Sequence, residues 1–542
     1  MKKSLILLPL AAVLLTLTGC KKNNEKSVTP GETVTFTANI GGGEKTEIYN
    51  GTKMKWSDGD KITINGDVFT SSFSSGNYNM AKFSGTFTDM PSSYEAYYPE
   101  TLNWKNLGKY YLPVAQNYNV ENGNILSGID PMYAYQGDVN DKTLHFYHIC
   151  ALVKLQVKGE GMVKTIVVSS DDLLCGQFQV IHDSGNDRYY AKVDPSGYKK
   201  LILDCGTGVE LNNETPKTFY IALPQGELKN LTFTFRGVNG GKWESEPIAA
   251  ANLIAGKIYT KSLEKGTYKY PPVGCLPGEF SVSETKKIYF SNGNLQFHTT
   301  NKKWRFAENQ YDLLDANTSE HETSDYAENS DKWIDLFGWG TSGQNHGATS
   351  YQPWSTSEEN SDYYAYSDVN KGLYDNDGSA DWGYSYCAQQ GVATGTWRVL
   401  TNEEWDYLRS RNTTYYYHGC YLGAKVNGVC GILLFPDVFS WPLAAGVEPD
   451  ISDINNINHY GYECEGSVFT ALQDAGCVFL PAAGSRLGFY VSDVGSIGYY
   501  WNSSNNDGYF VGSTMFNTAT LNFTYDEREY GSSVRLVYPF ED

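Results

Sequence analysis

Cys20 closes the run Leu17-Thr18-Gly19-Cys20, in which two small residues leave the preceding bond open to a peptidase. Its thiol is then free to carry a diacylglyceryl group. Lys2 and Lys3 stand before an apolar segment, Leu5 to Leu17, that is shorter than the ~20 residues needed to span a bilayer. The pattern predicts export with lipid on Cys20, each buried methylene adding ~0.8 kcal/mol of membrane affinity. A second chemistry lies near the other end. Tyr499, Asn502, Asn505, Asn506, Tyr509 and Asn517 mix rigid rings with adaptable amides, the composition of a binding surface. Rings of this kind stack on the apolar faces of sugars while amides take the hydroxyls. Trp339, inside Gly338-Trp339-Gly340, and Trp354 are weaker candidates of the same kind. The competing reading is that alternate aromatics fill a core, and Trp501 fits that better. Asp375, Asp377 and Asp381 supply carboxylates. A glycosidase needs two of them roughly 5–10 Å apart, which sequence spacing alone does not give.

The chain that positions these groups has 542 residues, enough for two or three domains at ~100–200 residues each. Hydrophobic residues make up 41%, and the formal net charge is -20. Phosphate backbones repel such a chain, which argues against nucleic acid as a partner. With 42 Tyr, 24 Phe, 12 Trp and 54 Gly, the composition favours a mainly β protein with many turns. Ten cysteines leave nine after Cys20, without CxxC or Cys/His metal spacing, so neither a metal nor a cofactor is expected. Export permits disulfides among Cys420, Cys430, Cys464 and Cys477, with at least one thiol left over.

Residues 1–20 thus read as a lipoprotein signal and 21–27 as a polar tether. The Leu-Thr-Gly-Cys run resembles the lipobox of bacterial lipoproteins. From residue 28 the text alternates: Val34 to Ile40, Lys61 to Ile64 ending in the turn pair Asn65-Gly66, then Leu152 to Val157, Lys164 to Val168, Thr218 to Ala222 and Leu231 to Phe235. This spacing predicts β-sandwich architecture. Trp56 reads as a core aromatic and His148 as a hydrogen-bonded core or strand-edge histidine.

Several strings in this half occur in a telling order: Lys55-Trp56-Ser57-Asp58-Gly59-Asp60, Tyr94-Glu95-Ala96-Tyr97-Tyr98-Pro99, Leu112-Pro113-Val114-Ala115-Gln116, Phe146-Tyr147-His148-Ile149-Cys150-Ala151-Leu152, Ile221-Ala222-Leu223-Pro224-Gln225 and Ala255-Gly256-Lys257-Ile258-Tyr259. The series resembles the fimbrillin-like lipoprotein pilins over residues 28–265. That resemblance implies two transthyretin-like β-sandwich lobes, trimming after a basic residue and assembly with other fimbrial subunits by donor-strand exchange. Lys45, just after Gly41-Gly42-Gly43, suits such a cut before Thr46, and it reads equally well as a solvated loop lysine.

Residues 266–274, with Pro271-Pro272, form a stiff linker, and the composition shifts after it. Lys287-Ile288-Tyr289-Phe290 and Leu295-Gln296-Phe297 read as a strand pair around the turn Ser291 to Asn294. Thr401 and Glu404 form a capping box ahead of a helix that carries Trp405 and Leu408 on one side. Trp304-Arg305-Phe306-Ala307, Trp397 to Trp405, Gly498 to Ser504 and Gly531 to Val537 resemble the C-type-lectin-like fold of FISUMP-type domains and formylglycine-generating enzymes, over residues 275–542. The resemblance implies an α+β scaffold with long functional loops at 315–332, 342–381 and 440–465. The oxidase branch needs a cysteine where this chain has Leu536, so a non-catalytic domain is expected. Glu448-Pro449-Asp450 and Trp501-Asn502-Ser503 only partly echo calcium-dependent lectin strings.

Together these readings predict a fimbrial tip subunit at the outer membrane or cell surface. It accepts a donor strand through its first half and binds a host or bacterial glycan or protein through its second. A monomeric surface glycan-binding lipoprotein is the alternative, and a glycan-active enzyme the lesser one.

Overall fold

Val34, Phe36 and Ala38 alternate with three threonines, and the period-two pattern becomes strand β1, Thr33–Ile40, with Phe36 and Ala38 fully buried. The computed structural model describes residues 30–41, 56–72, 80–103, 109–121, 124–125, 128, 130–314, 333–344, 352–353, 355–411, 420–442, 445–446, 461–517 and 520–540. Cys20, Lys45, Thr46, Trp354, the loop 315–332 and Glu448-Pro449-Asp450 lie outside them.

β1 pairs antiparallel with β4, Met80–Thr86, and parallel with β7, Thr143–His148. Between those two run β2 (Lys61–Ile64), β3 (Asp67–Ser72), β5 (Tyr94–Tyr98) and β6 (Met132–Gln136), closing a seven-stranded barrel. Asn65 and Gly66 both take positive φ, 52° and 95°, as the tight turn between β2 and β3 requires. Phe36 points into a cluster of rings, edge-on to Phe69 at 5.5 Å and to Tyr94 at 4.7 Å. Trp56 is a core aromatic, packed on Phe83 and Phe146.

A second lobe follows as two sheets that share one core. Ala151–Lys158 lies between Lys217–Leu223 and, in parallel, Ile258–Glu264. The other sheet holds Met162–Ser169, Lys200–Glu210, Gly226–Arg236 and Lys242–Glu244. Leu155 and Phe219 of one sheet meet Ile166, Leu203 and Phe235 of the other. The linker is pinned to this lobe, because Lys242 and Lys269 exchange backbone hydrogen bonds of 2.7 and 2.8 Å.

Beyond the linker the architecture becomes α+β. Lys287–Phe290 lies between Phe280–Ser281 and Val537–Pro539, so the last described strand is in one sheet with the first two of this half. The expected pairing of Lys287–Phe290 with Leu295–His298 does not form. Leu295–His298 pairs instead with Lys303–Phe306 and Trp333–Ile334. The intervening residues run on along the C-terminal segment, Ser291 N–H donating to the Leu536 carbonyl and Leu295 N–H to that of Val534. They do not reverse the chain. A five-stranded sheet holds Leu336–Phe337, Ser532–Ser533, Gly498–Asn505, Phe510–Phe516 and Leu521–Glu527.

Helix α1 (Trp382–Gln390), helix α2 (Asn402–Ser410) and helix α3 (Gly466–Asp474) pack around these sheets. α2 opens on the capping box of Thr401 and Glu404 and buries Trp405 and Leu408. The described cysteines, including Cys420, Cys430, Cys464 and Cys477, are all free thiols. None of the disulfides that export would permit among them is formed. Cys464 and Cys477 sit instead as small apolar groups in the core beside Phe469 and Phe479.

Candidate functional site

The strands Gly498–Asn505 and Phe510–Phe516 form a hairpin that carries Tyr499, Asn502 and Asn505 on its first strand and Asn506 and Tyr509 at its tip, residues 506–509, with Asn517 just past its second strand. Asn502 is fully buried: its Nδ2 donates to Asn402 Oδ1 at 3.1 Å and its Oδ1 accepts from Ser504 N–H at 2.9 Å. Gly512 makes room for it, since a Cβ there would lie 2.1 Å from Asn502 Oδ1. Trp339 is equally buried and donates from Nε1 to the Asn502 carbonyl. Asn505 donates to the carbonyls of Asp368 and Lys371 and accepts from Arg528 Nη2 at 3.1 Å. These three residues spend their polar groups inside the fold, so they hold the hairpin against the loop beneath it and present nothing to a ligand. Asn517 shapes a turn by accepting from Thr520 N–H, and Tyr499 is half-buried.

Asn506 and Tyr509 remain at the tip, both exposed. The Tyr509 ring stands edge-on to Tyr366 at 5.4 Å, and its carbonyl accepts from Asn360 Nδ2 at 3.1 Å. Asp507 Oδ1 accepts from the N–H groups of Tyr509 and Phe510, which fixes the turn. Those same bonds hold its carboxyl below the usual range. Sequence reading missed Tyr366, because only the fold brings residue 366 against 509. Phe510 and Tyr525, also partly exposed, extend the aromatic surface.

The acidic trio does different work. Asp381 is buried at the start of α1, where Oδ1 accepts from Gly383 N–H and Oδ2 from Val399 N–H. Burial pushes its carboxyl up to about 6 against those hydrogen bonds. Asp375 and Asp377 accept from the N–H groups of Gly372 and Ser379, each within its own loop. A cavity of about 500 Å³ opens beside them, lined by Tyr374, Asp381, Arg398 and Glu404. Arg398 forks onto Glu404 at 2.6 and 2.7 Å, which commits that carboxylate as well. Among the described residues no group of three or more His, Cys, Asp or Glu side chains is placed to hold a metal ion.

In the first half the notable feature is a slot. β1 alone separates β4 from β7, and behind it lie Phe69, Phe83, Tyr94 and Phe146. Where the barrel meets the second lobe, His148 is buried with Nδ1 2.7 Å from Asp130 Oδ2.

No family model matches the chain, and no curated protein matches it. Solved structures similar to it include a candidate cell adhesion protein of Bacteroides ovatus, at 14% identity and a TM-score of 0.28, over 45% of this chain and 98% of that one. The C-terminally truncated tip fimbrial protein Mfa3 of Porphyromonas gingivalis aligns at 10% identity and a TM-score of 0.20, over 44% and 98% of the two chains. A fimbrial protein of Bacteroides ovatus aligns at 10% identity and a TM-score of 0.19, over 93% and 98%. Scores this low leave the functional reading to the chain's own geometry.

Proposed function

We propose that this chain is an exported adhesin subunit that accepts a partner's strand in its barrel and ends a filament at its tip. The observation that carries the reading is the position of β1, first of the described strands and the bridge between β4 and β7. A cut at Lys45–Thr46 severs β1 from the rest. Its departure bares two strand edges and a row of buried rings, which an incoming strand with apolar residues at every second position would cover by β-augmentation. Behind the second lobe's last strand, Ile258–Glu264, stands a whole α+β unit, where a stalk subunit would offer its own donor strand. The chain therefore receives and does not pass on. The exposed Tyr509 and Asn506, backed by the half-buried Tyr366, are the face that contacts a glycan or protein.

Lipid on Cys20 serves export and outer-membrane sorting in this scheme and is lost with the cut. N-terminal sequencing of the mature protein from its native surface should begin at Thr46. The trimmed protein should also form a stable complex with a stalk subunit's C-terminal strand peptide. A mature chain that keeps lipidated Cys20 and takes up no such peptide would refute the tip reading. It would point instead to a monomeric surface glycan-binding lipoprotein, which the intact closed barrel suits.

A further inference from the structure

Tyrosines crowd the outer face of the barrel where it meets the second lobe. In the strand register Tyr97 of β5 stands opposite Tyr133 of β6, Glu95 opposite Tyr135, and Tyr133 opposite Tyr147 of β7. Opposed residues share a face, and the alternate residues Ala96, Ala134 and Phe146 fill the barrel, so all five point outward. The second lobe covers one end of this row, where Tyr97 stacks on Tyr110 at 3.5 Å. Its hairpin Gly176–Asp183 and Arg188–Val193 adds Tyr189, tilted against Tyr133 at 5.1 Å and against Tyr147 at 5.0 Å. His182 stacks on Tyr189 at 4.6 Å. Tyr147 and Tyr189 are half-buried, and Tyr135 at the open end is 53% exposed. Rings held this way offer rigid faces at little cost in entropy.

The charge on this surface has one sign. Glu95 is exposed, and its Oε1 accepts from the hydroxyls of Tyr97 at 2.9 Å and Tyr133 at 3.2 Å. Among the described residues Oε2 has no hydrogen bond, and no Lys or Arg lies within ion-pair distance of this carboxylate. Burial raises the hydroxyl pKa of Tyr97 and Tyr133, with Glu95 the next cause, and that of Tyr147 and Tyr189, with Asp187 the next. No lysine or arginine opposes these shifts. Asp187 is exposed at the hairpin's turn, its Oδ1 3.3 Å from His182 Nε2. Arg188, the next residue, stands opposite Asp183 in the register, and both point to the hairpin's other face. Ring faces are themselves negative, so carboxylates beside them without a cation form a receptor for one.

We propose that this surface docks an arginine side chain of a partner protein, the guanidinium lying on the Tyr135 ring and donating to Glu95 Oε2. Glu95 and Tyr135 face each other across β5 and β6 at the ~5 Å separation of opposed side chains, so one guanidinium touches both. Arginine suits the place better than lysine, because its planar group stacks on a ring while its N–H groups reach a carboxylate, and it is the more weakly hydrated. A neutral sugar uses the rings but leaves the Glu95 charge unanswered. The site depends on neither strand acceptance nor the Asn506–Tyr509 tip.

Titration of the full chain with a terminally blocked peptide carrying two arginines, with the same peptide carrying citrulline at both places, and with phosphatidylcholine vesicles tests the assignment. The arginine peptide should bind, more weakly as salt rises, and the isosteric, neutral citrulline peptide should bind about tenfold more weakly or worse. Glu95→Gln keeps an acceptor for the two phenols and should cost about tenfold. Tyr135→Ala should cost about threefold or more, and Tyr135→Phe should keep most of the affinity. Tyr135 is exposed and uncharged, so its loss neither empties the core nor changes the general pull of a chain of net charge -20 on a basic peptide. Equal binding of the two peptides, no binding of the arginine peptide, a preference for the vesicles, or unchanged affinity in Glu95→Gln or in Tyr135→Ala would each overturn the proposal. Mature N-terminal sequence and donor-peptide uptake stay the same in these variants, so the two readings fail separately.

Discussion

His148 shows how one buried pair ties stability to pH. Burial by itself lowers the imidazole's pKa, but the Asp130 carboxylate 2.7 Å away outweighs it and raises the value above 6.5. The folded state therefore favours the protonated ring. The stability so gained is fully present below about pH 6.5, the unfolded value, and is lost as pH rises through the higher folded value. Urea midpoints measured from acid to alkaline pH should fall over that window. His148→Gln should flatten this fall while lowering stability at the acid end; an unchanged slope would mean that the pair does not titrate. The same scale explains which site residues were legible. Tyr509 and Asn506 stand exposed, as a binding surface requires, whereas Asn502, Asn505 and Trp339 have the right chemistry but point inward. Residue type names a side chain's capacity to bind, and only the hairpin's register decides which side of the sheet spends it.

Among the elements, those with strong local signals were readable. The period of Val34 to Ile40, the Asn65-Gly66 turn and the Thr401–Glu404 box each depend on neighbours within a few residues, and each took the form expected. Strand partners did not follow from local signals. Leu295–His298 answers to Trp333–Ile334 and to the C-terminal segment, contacts set by the whole fold. α1 and α3 also went unread. α1 is capped by Asp381, a residue that looked like a candidate acid, and its run Trp382–Gln390 has no polar face to reveal the helical period. β1 is the element on which the proposed assembly turns, and Phe36 is its anchor. Phe36→Ala leaves a cavity among Phe69, Phe87 and Tyr94, and should cost roughly 3–5 kcal/mol in urea unfolding. A cost well under 1 kcal/mol would mean that β1 is loosely held and needs no cut to leave.

For the whole molecule, a buried apolar contact joins the halves. Val438 of the α+β half packs on Val167 and Ile202 of the second lobe, all three buried, and the Lys242–Glu279 pair flanks them. Two cavities that Arg236 lines lie along this seam. Val438→Asp buries a charge against two aliphatic side chains and should part the halves while leaving each core intact. Far-UV circular dichroism should then be unchanged, the radius of gyration from small-angle scattering should increase, and one thermal transition should split into two. A variant with the wild-type radius and a single transition would show that the linker and the Lys242–Lys269 pairing hold the halves without Val438.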